Sequence, residues 1–278
     1  MSITDRIWKG LRYIIKGVPV KHVTAQVVCL SPDSRLAGRK LLVTGGGRGL
    51  GYAMAEKFVR EGAQVVITGR NEEVLKNASE RIGCRYLVSD IKEQRGFDEL
   101  IMRAADILGG LDSLVNNAGI SLHEGSILDV TPEGFDSQVA VNLRGAYFLS
   151  QAYIRYVQEN SLEKADILFI SSERGEYADD LPYGITKNAI NCLVRGMARR
   201  FASKGIRVNA VAPGVTATDM TGFRKDGNLY AGYNMNERVY LPEEVAEVAC
   251  FLLSDASRCV SGQVVVCNEG KSVNAHWR

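Results

Sequence analysis

The stretch Leu41-Leu42-Val43-Thr44-Gly45-Gly46-Gly47-Arg48-Gly49-Leu50-Gly51 decides the fold of this chain. It begins as a continuous apolar run, typical of a strand covered on both faces, and it leads into a helical pattern that starts at Tyr52. The glycines between them let the backbone turn tightly and approach a pyrophosphate, which the free N–H groups of the following helix can bind. The spacing is GxxxGxG rather than GxGxxG, so the glycines alone are also compatible with a simple strand–helix turn.

Apolar strand patterns and amphipathic helical patterns alternate over the rest of the chain. This alternation predicts an α/β fold, a single doubly wound Rossmann-type domain over residues 38–278, with a seven-stranded, mostly parallel sheet and helices on both faces. Strands are predicted at 41–44, 64–68, 85–88, 113–115, 167–171, 207–212 and 264–267. Helices are predicted at 52–61, 72–82, 97–108, 132–160, 182–203 and 242–254. Ligands of such sheets bind beyond the carboxyl ends of the strands, so the position of the glycine-rich loop favours a dinucleotide site.

Residues 1–37 form a basic extension before the predicted domain. Residues 1–40 carry eight Lys or Arg against two Asp, a net charge of +6 within an overall charge of +2. Isoleucine and leucine recur at helical spacing from Ile3 to Ile15, which predicts an amphipathic helix. We expect this helix to pack on the domain or on a neighbouring subunit, and docking on an anionic membrane is the alternative.

Composition argues against several other classes of protein. The six cysteines form no CxxC pair, so we expect thiols in a reducing compartment and neither disulfides nor metal ligands. No apolar run approaches the ~20 residues that span a bilayer, and the first residues lack the apolar core of a signal peptide. We therefore expect a cytoplasmic protein with no bound metal and with no nucleic-acid-binding face on the main domain.

The end of the second predicted strand indicates which dinucleotide would bind. Sites for NAD usually place an acidic residue there, where it accepts a hydrogen bond from the ribose 2′-hydroxyl. Here the sequence reads Thr68-Gly69-Arg70-Asn71, with no carboxylate. The guanidinium groups of Arg48 and Arg70 suit a 2′-phosphate, because they are planar, charged and multidentate. We expect NADP(H), and the alternative is that Arg70 caps the next helix and faces water.

The stretch Tyr183-Gly184-Ile185-Thr186-Lys187 places a phenol and an ammonium four residues apart. On a helix these positions lie about 40° apart around the axis, so both side chains can reach the same space. A cation about 4 Å away, at an effective dielectric of about 20, supplies the roughly 4 kcal/mol that brings a phenol pKa from about 10 to near 7. The pair can therefore be a tuned proton donor, although alone it is also typical of two neighbours on a helix surface.

The order of these motifs resembles that of the short-chain dehydrogenases/reductases, over roughly residues 38–270. The matching positions, in chain order, are 44–51, Asp90-Ile91, Asn116-Asn117-Ala118-Gly119, Asn142, Ser171-Ser172, Tyr183 with Lys187, and Pro213-Gly214 with Thr218. Each motif alone is weak, whereas the full ordered set is specific. Within the family, the chain is most similar to the 3-oxoacyl-(acyl-carrier-protein) reductases.

The resemblance implies a role for each of these residues. Asp90 and the Ile91 backbone would bind adenine, and Asn117 would line the ribose and stabilise the central strand. The rest of the implied coenzyme site comprises Gly45, Gly47, Arg48, Gly49, Leu50, Gly51, Arg70, Asn71, Ala118, Gly119, Pro213, Gly214, Thr216 and Thr218, of which the last four would hold the nicotinamide carboxamide.

The catalytic residues implied by the resemblance are four. Tyr183 would be the general acid/base, and Lys187 would lower its pKa and bind the nicotinamide ribose. Ser172 would hold the substrate oxygen, because Ser172-Glu173-Arg174-Gly175 fits the family's Ser-x-x-Gly pattern, with Ser171 as the alternative. Asn142 would position a water that relays protons to Lys187.

The chain departs from the family pattern beside the expected active site and at its C-terminus. The loop at 173–181 is acidic, and we interpret it as a solvated face that would disfavour carboxylate substrates if it lines the pocket. The C-terminus reads Cys267-Asn268-Glu269-Gly270 where the family commonly has Asp-Gly-Gly. Because that region often packs at a tetramer interface in the family, we expect a homo-oligomer, a dimer or a tetramer, without fixing which.

These residues predict an NADP-dependent oxidoreductase that acts on CH–OH groups. Hydride would pass between nicotinamide C4 and a substrate carbonyl, and a 3-oxoacyl thioester on an acidic carrier would be the substrate class. The alternatives are a sugar, polyol or steroid-like alcohol dehydrogenase and, outside catalysis, an NADP-sensing or scaffold protein. Residues 219–241 have the composition of a mobile substrate lid, and His123 lies near the expected pocket.

Overall fold

A computed structural model describes residues 34–273, together with His22 and Thr24. In this part of the chain, seven strands form one parallel sheet in the order β3-β2-β1-β4-β5-β6-β7. The strands are β1 (Lys40–Thr44), β2 (Gln64–Gly69), β3 (Arg85–Val88), β4 (Ser113–Asn116), β5 (Ala165–Ile170), β6 (Ile206–Pro213) and β7 (Val264–Cys267). The predicted doubly wound fold is confirmed, and each predicted strand is present within two residues at either end.

Helices connect the strands and cover both faces of the sheet. They are α1 (Gly49–Arg60), α2 (Glu72–Ile82), α3 (Phe97–Leu108), α4 (Pro132–Gln138), α5 (Ala146–Glu159), α6 (Pro182–Phe201) and α7 (Pro242–Leu253). Local signals fix several ends. For example, the Asn71 side chain accepts from the N–H of Val74 at the start of α2, and Gly83 ends that helix in the left-handed conformation.

The predicted helix over 132–160 is wrong in one respect. A π-helix at Val139–Gly145 separates α4 from α5. Apolar periodicity does not reveal such an insertion, because the chain stays helical throughout. π-helical turns occur frequently at functional sites, and this one contains Asn142.

Alternate residues of the central strands face two separate apolar layers. Leu42 and Leu114 pack with α3, α5 and α6 on one face of the sheet. Leu41 and Val43 pack with α1, α2 and α7 on the other. Because both faces of each strand are covered, every residue of β4 and β5 is buried, as is every residue of β1 after the first.

The packed domain begins before its predicted start at residue 38. Leu36 is fully buried in the layer formed by α1, α2 and α7. The Arg35 guanidinium pairs with Glu61 at 2.6 Å and with Glu247 at 2.8 Å. The helix predicted from Ile3 to Ile15 lies outside the described residues. Between residues 34 and 273, no helix combines the length and the apolar character needed to cross a bilayer.

Candidate active site

The strand order reverses at β1, since β2 and β3 lie on one side of it and β4 to β7 on the other. A cavity of about 1040 Å³ opens at the carboxyl ends of these strands, which is where open α/β sheets bind ligands. Its wall contains most of the predicted site residues, namely Gly45, Gly47, Arg48, Gly49, Leu50, Gly51, Arg70, Asn71, Asp90, Ile91, Asn117, Ala118, Gly119, Tyr183, Lys187 and Thr218. The other predicted residues, Asn142, Ser172, Pro213, Gly214 and Thr216, lie outside that wall.

The turn after β1 presses the start of α1 against the end of the strand. Gly49 has a φ of 56°, in the left-handed region that favours glycine. A Cβ on Gly51 would lie 2.2 Å from the Gly45 carbonyl oxygen, so a side chain does not fit there. The cap residue Arg48 makes no side-chain hydrogen bond to the first turn of α1. The N–H groups of that turn can therefore serve an anionic ligand.

Thr44 joins β1 to the loop after β4, a role that sequence reasoning did not assign to it. Its hydroxyl donates to the Val115 carbonyl at 3.2 Å and accepts from the N–H groups of Asn117 and Ala118, both at 3.0 Å. The Asn117 amide returns bonds to the carbonyls of Thr44 (2.8 Å) and Gly45 (3.2 Å). The Asn117 side chain thus stabilises the central strands, and a hydroxyl at the last position of β1 was the available signal for Thr44.

The far end of the cavity contains the predicted adenosine-binding residues. Asp90 accepts from the Lys92 N–H at 2.9 Å, which fixes its carboxylate in a turn. The Asn71 amide oxygen is occupied by the cap of α2, so this residue contributes to helix geometry as well as to the wall. Arg48 and Arg70 are exposed at the cavity. Neither guanidinium has a hydrogen-bond or ion-pair partner among residues 34–273, which leaves both available to a phosphate.

Tyr183 and Lys187 lie in the first turns of α6, which starts at Pro182. The Lys187 Nζ lies 5.6 Å from the centroid of the Tyr183 ring and donates to the Ile170 carbonyl at 2.7 Å. Helical spacing therefore brings the phenol and the amine together, and the bond to Ile170 holds the amine at the end of β5.

Burial dominates the protonation of both side chains. It lowers the pKa of Lys187 to about 8. It raises the pKa of Tyr183 above its ordinary value, whereas hydrogen bonding with Ser172 and the charge of Arg174 act in the opposite direction and are smaller. In the polypeptide by itself, desolvation of the phenolate outweighs these two influences. The lowering of the phenol pKa by Lys187 stays a prediction.

The two serines after β5 point to different partners. The Ser171 hydroxyl is buried and donates to the Asn191 amide oxygen at 2.6 Å and to the Lys187 carbonyl at 3.3 Å. The Ser172 oxygen accepts from the N–H of Arg174 at 3.2 Å. Of the two hydroxyls, that of Ser172 is the one that lowers the pKa of the Tyr183 phenol.

Asn142 links the π-helix to the loop after β4. Its amide bonds both backbone groups of Ile120, accepting from the N–H at 2.8 Å and donating to the carbonyl at 2.9 Å, and it donates to the Thr186 hydroxyl at 3.2 Å. The Thr186 hydroxyl in turn donates to the Tyr183 carbonyl at 2.7 Å. Asn142, which does not line the cavity, thus stabilises the first turn of α6 through Thr186.

The acidic loop at 173–181 differs from the predicted solvated face. Glu173 is buried and accepts from Lys271 and Asn268, both at 3.0 Å. Glu176 accepts from the Asn191 amide at 2.7 Å, and Asp179 pairs with Arg174. Their partners come from α6, from the C-terminal residues and from the loop itself. A charge run read in one dimension gives no sign of those partners.

Most of the predicted site residues at the end of β6 and after it bind other parts of the chain and do not line the cavity. The Gly214 N–H donates to the Cys267 carbonyl at 2.9 Å, and the buried Thr216 hydroxyl donates to the Gly214 carbonyl at 2.9 Å. Thr218 follows these residues and lies in the cavity wall, where His123 also lies. Glu269, in place of the first glycine of the family's usual pair, has a φ of 54°, the left-handed conformation that favours glycine.

A doubly wound sheet with a glycine-rich phosphate loop and a Tyr–Lys pair in one crevice defines a dinucleotide-dependent oxidoreductase. A family model described as enoyl-(acyl carrier protein) reductase matches residues 45–272. The chain belongs to the short-chain dehydrogenase/reductase family, whose members use nicotinamide coenzymes.

Characterised relatives act on different substrates. The chain is 34% identical over 251 residues to a glucose 1-dehydrogenase of Gluconobacter oxydans, covering 85% of this chain and 92% of that protein. It is 32% identical over 262 residues to a versicolorin reductase of Emericella nidulans, covering 84% and 96%. Among solved structures, a 3-ketoacyl-(acyl-carrier-protein) reductase from Brucella melitensis complexed with NADH has a TM-score of 0.79 at 29% identity, covering 86% of this chain and all of that one.

The residues present fit a nicotinamide coenzyme. The glycine turn offers a close backbone approach and the N-terminus of α1, where a pyrophosphate would bind. The exposed guanidinium groups lie in the same wall, and Tyr183 and Lys187 lie at its other end.

Proposed function

We propose that this protein is an NADP(H)-dependent reductase of a carbonyl substrate, able to run in reverse as an alcohol dehydrogenase. One observation carries the proposal: Tyr183, one helical turn from Lys187 and near enough to the Ser172 hydroxyl for that group to lower its pKa, lies in the wall of the cavity that holds the glycine-rich phosphate loop. That combination provides an acid, a hydroxyl for the substrate oxygen and a site for a hydride carrier.

The bound coenzyme would supply the hydride, and the chain's own residues would manage the proton and the developing charge. Tyr183 donates its proton to the carbonyl oxygen as that oxygen becomes an alkoxide. The Ser172 hydroxyl bonds to the same oxygen and stabilises the charge. Burial raises the pKa of Tyr183, so the phenol is neutral at pH 7 and ready to donate a proton.

The preference for NADP(H) over NAD(H) is supported by charge at the adenosine end. The second strand ends without a carboxylate, and Arg70 follows it directly. A carboxylate in that position would repel a 2′-phosphate, whereas two guanidinium groups without a partner in the described part of the chain favour one. The NADH bound to the Brucella melitensis relative belongs to that protein's own site.

A 3-oxoacyl thioester is our proposed substrate class, and a sugar, polyol or steroid-like alcohol is the second candidate. The structural relative from Brucella melitensis favours the first, and the glucose 1-dehydrogenase favours the second. Arg199, Arg200 and Lys204 could contact an acidic carrier, but at 1.5 Å per residue Arg199 lies about 24 Å along the helix axis from Tyr183. A carrier bound there would have to reach the crevice with an extended thioester arm.

The proposed function is tested by Tyr183→Phe. We expect the variant to bind NADPH as the wild type does, measured by coenzyme fluorescence titration, and to lose NADPH-dependent reduction over a panel of ketones, 3-oxoacyl thioesters and sugars by about 100-fold or more. Arg195→Ala serves as a control on helix α6, because this side chain is exposed and lies about three turns beyond Tyr183. A Phe variant as fast as the wild type would remove Tyr183 from the reaction. Wild-type NADPH binding without turnover on any substrate would favour the sensing role instead.

A further inference from the structure

A buried carboxylate lies directly beside the proposed substrate-binding hydroxyl. Glu173 follows Ser172 in a short 3₁₀ turn, and only 4% of it is exposed. One of its oxygens accepts from the Lys271 ammonium at 3.0 Å. The other accepts from the Asn268 amide at 3.0 Å and from the Tyr177 hydroxyl at 3.4 Å. A buried charge requires such partners, so Glu173 holds Lys271, Asn268 and Tyr177 in place.

Lys271 extends this arrangement to the loop at 219–241. Besides Glu173, its ammonium donates to the Asn234 amide oxygen at 3.2 Å and lies 5.2 Å from the centroid of the Tyr233 ring. A cation at that distance from an aromatic face is attracted to it. After burial, the charge of Glu173 is the second cause that raises the pKa of Tyr233, so the carboxylate also acts at the ring.

Residues 231–238 form a small unit that is held together by hydrogen bonds between its own residues. The N–H of Ala231 donates to the carbonyl of Glu237 at 2.8 Å, and the Asn234 amide donates to the carbonyl of Arg238 at 2.7 Å. The base of the loop packs in a separate apolar cluster that includes Leu229 and Val239. Its tip meets the C-terminal residues 268–273 at Lys271 and through Asn236, which donates to Glu269 at 2.6 Å.

We propose that Glu173 is a positioning residue that acts through Lys271 to hold the 231–238 unit, and with it Tyr233, against the turn that follows Ser172. The role rests on the proposed carbonyl reduction, and it adds a substrate contact surface that the catalytic residues do not provide. More than half of Tyr233 is exposed, as is more than half of Met235. An exposed aromatic ring and an exposed thioether on a unit tied to the turn after Ser172 would suit a substrate with an apolar group next to its carbonyl.

Loss of the Glu173–Lys271 ion pair should have a different effect on KM than on kcat. The Glu173–Lys271 pair touches neither the phenol of Tyr183 nor the phosphate loop, so its loss should leave proton donation and coenzyme binding intact. Loosening the 231–238 unit should instead weaken substrate binding. We therefore expect KM to rise and kcat to change little.

The test compares Lys271→Met, Glu173→Gln and Lys271→Arg in the full chain. The first change removes the ammonium, the second removes the buried charge and keeps the shape, and the third keeps a cation. Lys225→Met is the matched control, because Lys225 lies in the same loop but pairs with Glu243 in an exposed ion pair. Amide hydrogen exchange over 219–241 reports on the loop without requiring a substrate.

We expect Lys271→Met and Glu173→Gln to raise exchange in 231–238 and to raise KM about 10-fold, the effect of losing one buried charge-assisted hydrogen bond. NADPH affinity and kcat should stay within twofold, and Lys271→Arg and Lys225→Met should behave as the wild type does. Unchanged exchange in both Lys271→Met and Glu173→Gln would overturn the proposal, as would a loss in kcat with KM unchanged. If the wild type reduces no carbonyl, the proposed function fails, and the exchange result still decides whether Glu173 positions the loop.

Discussion

Replacing Lys187 with methionine should stabilise the protein near neutral pH, and the gain should shrink as the pH rises. Burial lowers the pKa of this ammonium from 10.5 to about 8, so the folded protein releases the proton before the unfolded chain does. Between these two values the unfolded state binds more protons, and the free energy of unfolding of the wild type must rise with pH. At 1.36 kcal/mol per pKa unit, the charged side chain costs the fold about 3 kcal/mol below pH 8, and most of this cost disappears by pH 10.5.

Loss of the bond from Lys187 to the Ile170 carbonyl works against that gain. It should lower the variant's stability by about 1 kcal/mol at every pH, and so shift the curve without changing its slope. The informative quantity is therefore the difference in unfolding free energy between variant and wild type as a function of pH.

Urea unfolding between pH 7.5 and pH 10, at one protein concentration and one ionic strength, measures that difference. We expect the variant-minus-wild-type value to fall by about 2 kcal/mol over this range. The same comparison in a Tyr183→Phe background removes the phenol, so that its own titration does not enter the difference. Lys76→Met, at an exposed position of α2, is the control and should give a flat difference. A flat difference for Lys187→Met as well would refute the reasoning, because the amine would then be as well solvated in the fold as in the unfolded chain.

Two further changes probe the coenzyme site and its support. Arg70→Ala should weaken NADPH binding about 10-fold or more and leave NADH binding unchanged in calorimetric titrations, because one charge-assisted contact to the 2′-phosphate is lost; an equal loss for both coenzymes would mean that Arg70 does not read the phosphate. Thr44→Val keeps the side-chain shape but leaves the N–H groups of Asn117 and Ala118 without their acceptor. The free energy of unfolding should therefore drop by about 1–3 kcal/mol. Thr44→Ser retains the hydroxyl, and a loss as large as that of the valine variant would assign the effect to packing instead.

The strands and most helices could be predicted because their signals are local. Each central strand is covered on both faces, and this leaves a continuous apolar run such as Leu41-Leu42-Val43. The ends of α2 carry their own cap residues, Asn71 and Gly83, and the predicted bounds of that helix agree with the structure. The glycine turn was recognisable for the same reason, because the residue type itself reports a close backbone approach at Gly51.

The features that escaped prediction depend on contacts between distant segments. Glu173 looks solvated in a run of acidic residues, and it is buried because Asn268 and Lys271, nearly 100 positions later, come to it. The π-helix at Val139–Gly145 keeps the apolar spacing of its neighbours, so periodicity passes through it unchanged. For Glu173 the fold supplies the partners, and the pattern of single residues contains no trace of them.

The protonation of the Tyr–Lys pair shows the limit of reasoning from spacing alone. Spacing at i and i+4 guarantees proximity, and proximity of a cation was the reason to expect an acidic phenol. The same burial that brings the amine near the ring also desolvates it, and it lowers the pKa of Lys187 while raising that of Tyr183. Both shifts favour uncharged side chains, so each group weakens the charge that was to stabilise the other. The smaller, opposing influences come from Ser172 and Arg174, both of which precede α6 in the chain. The acidity of Tyr183 therefore depends on the loop after β5 as well as on the helix that places Lys187, and substitutions of Ser172 or Arg174 should be read as changes to the acid itself.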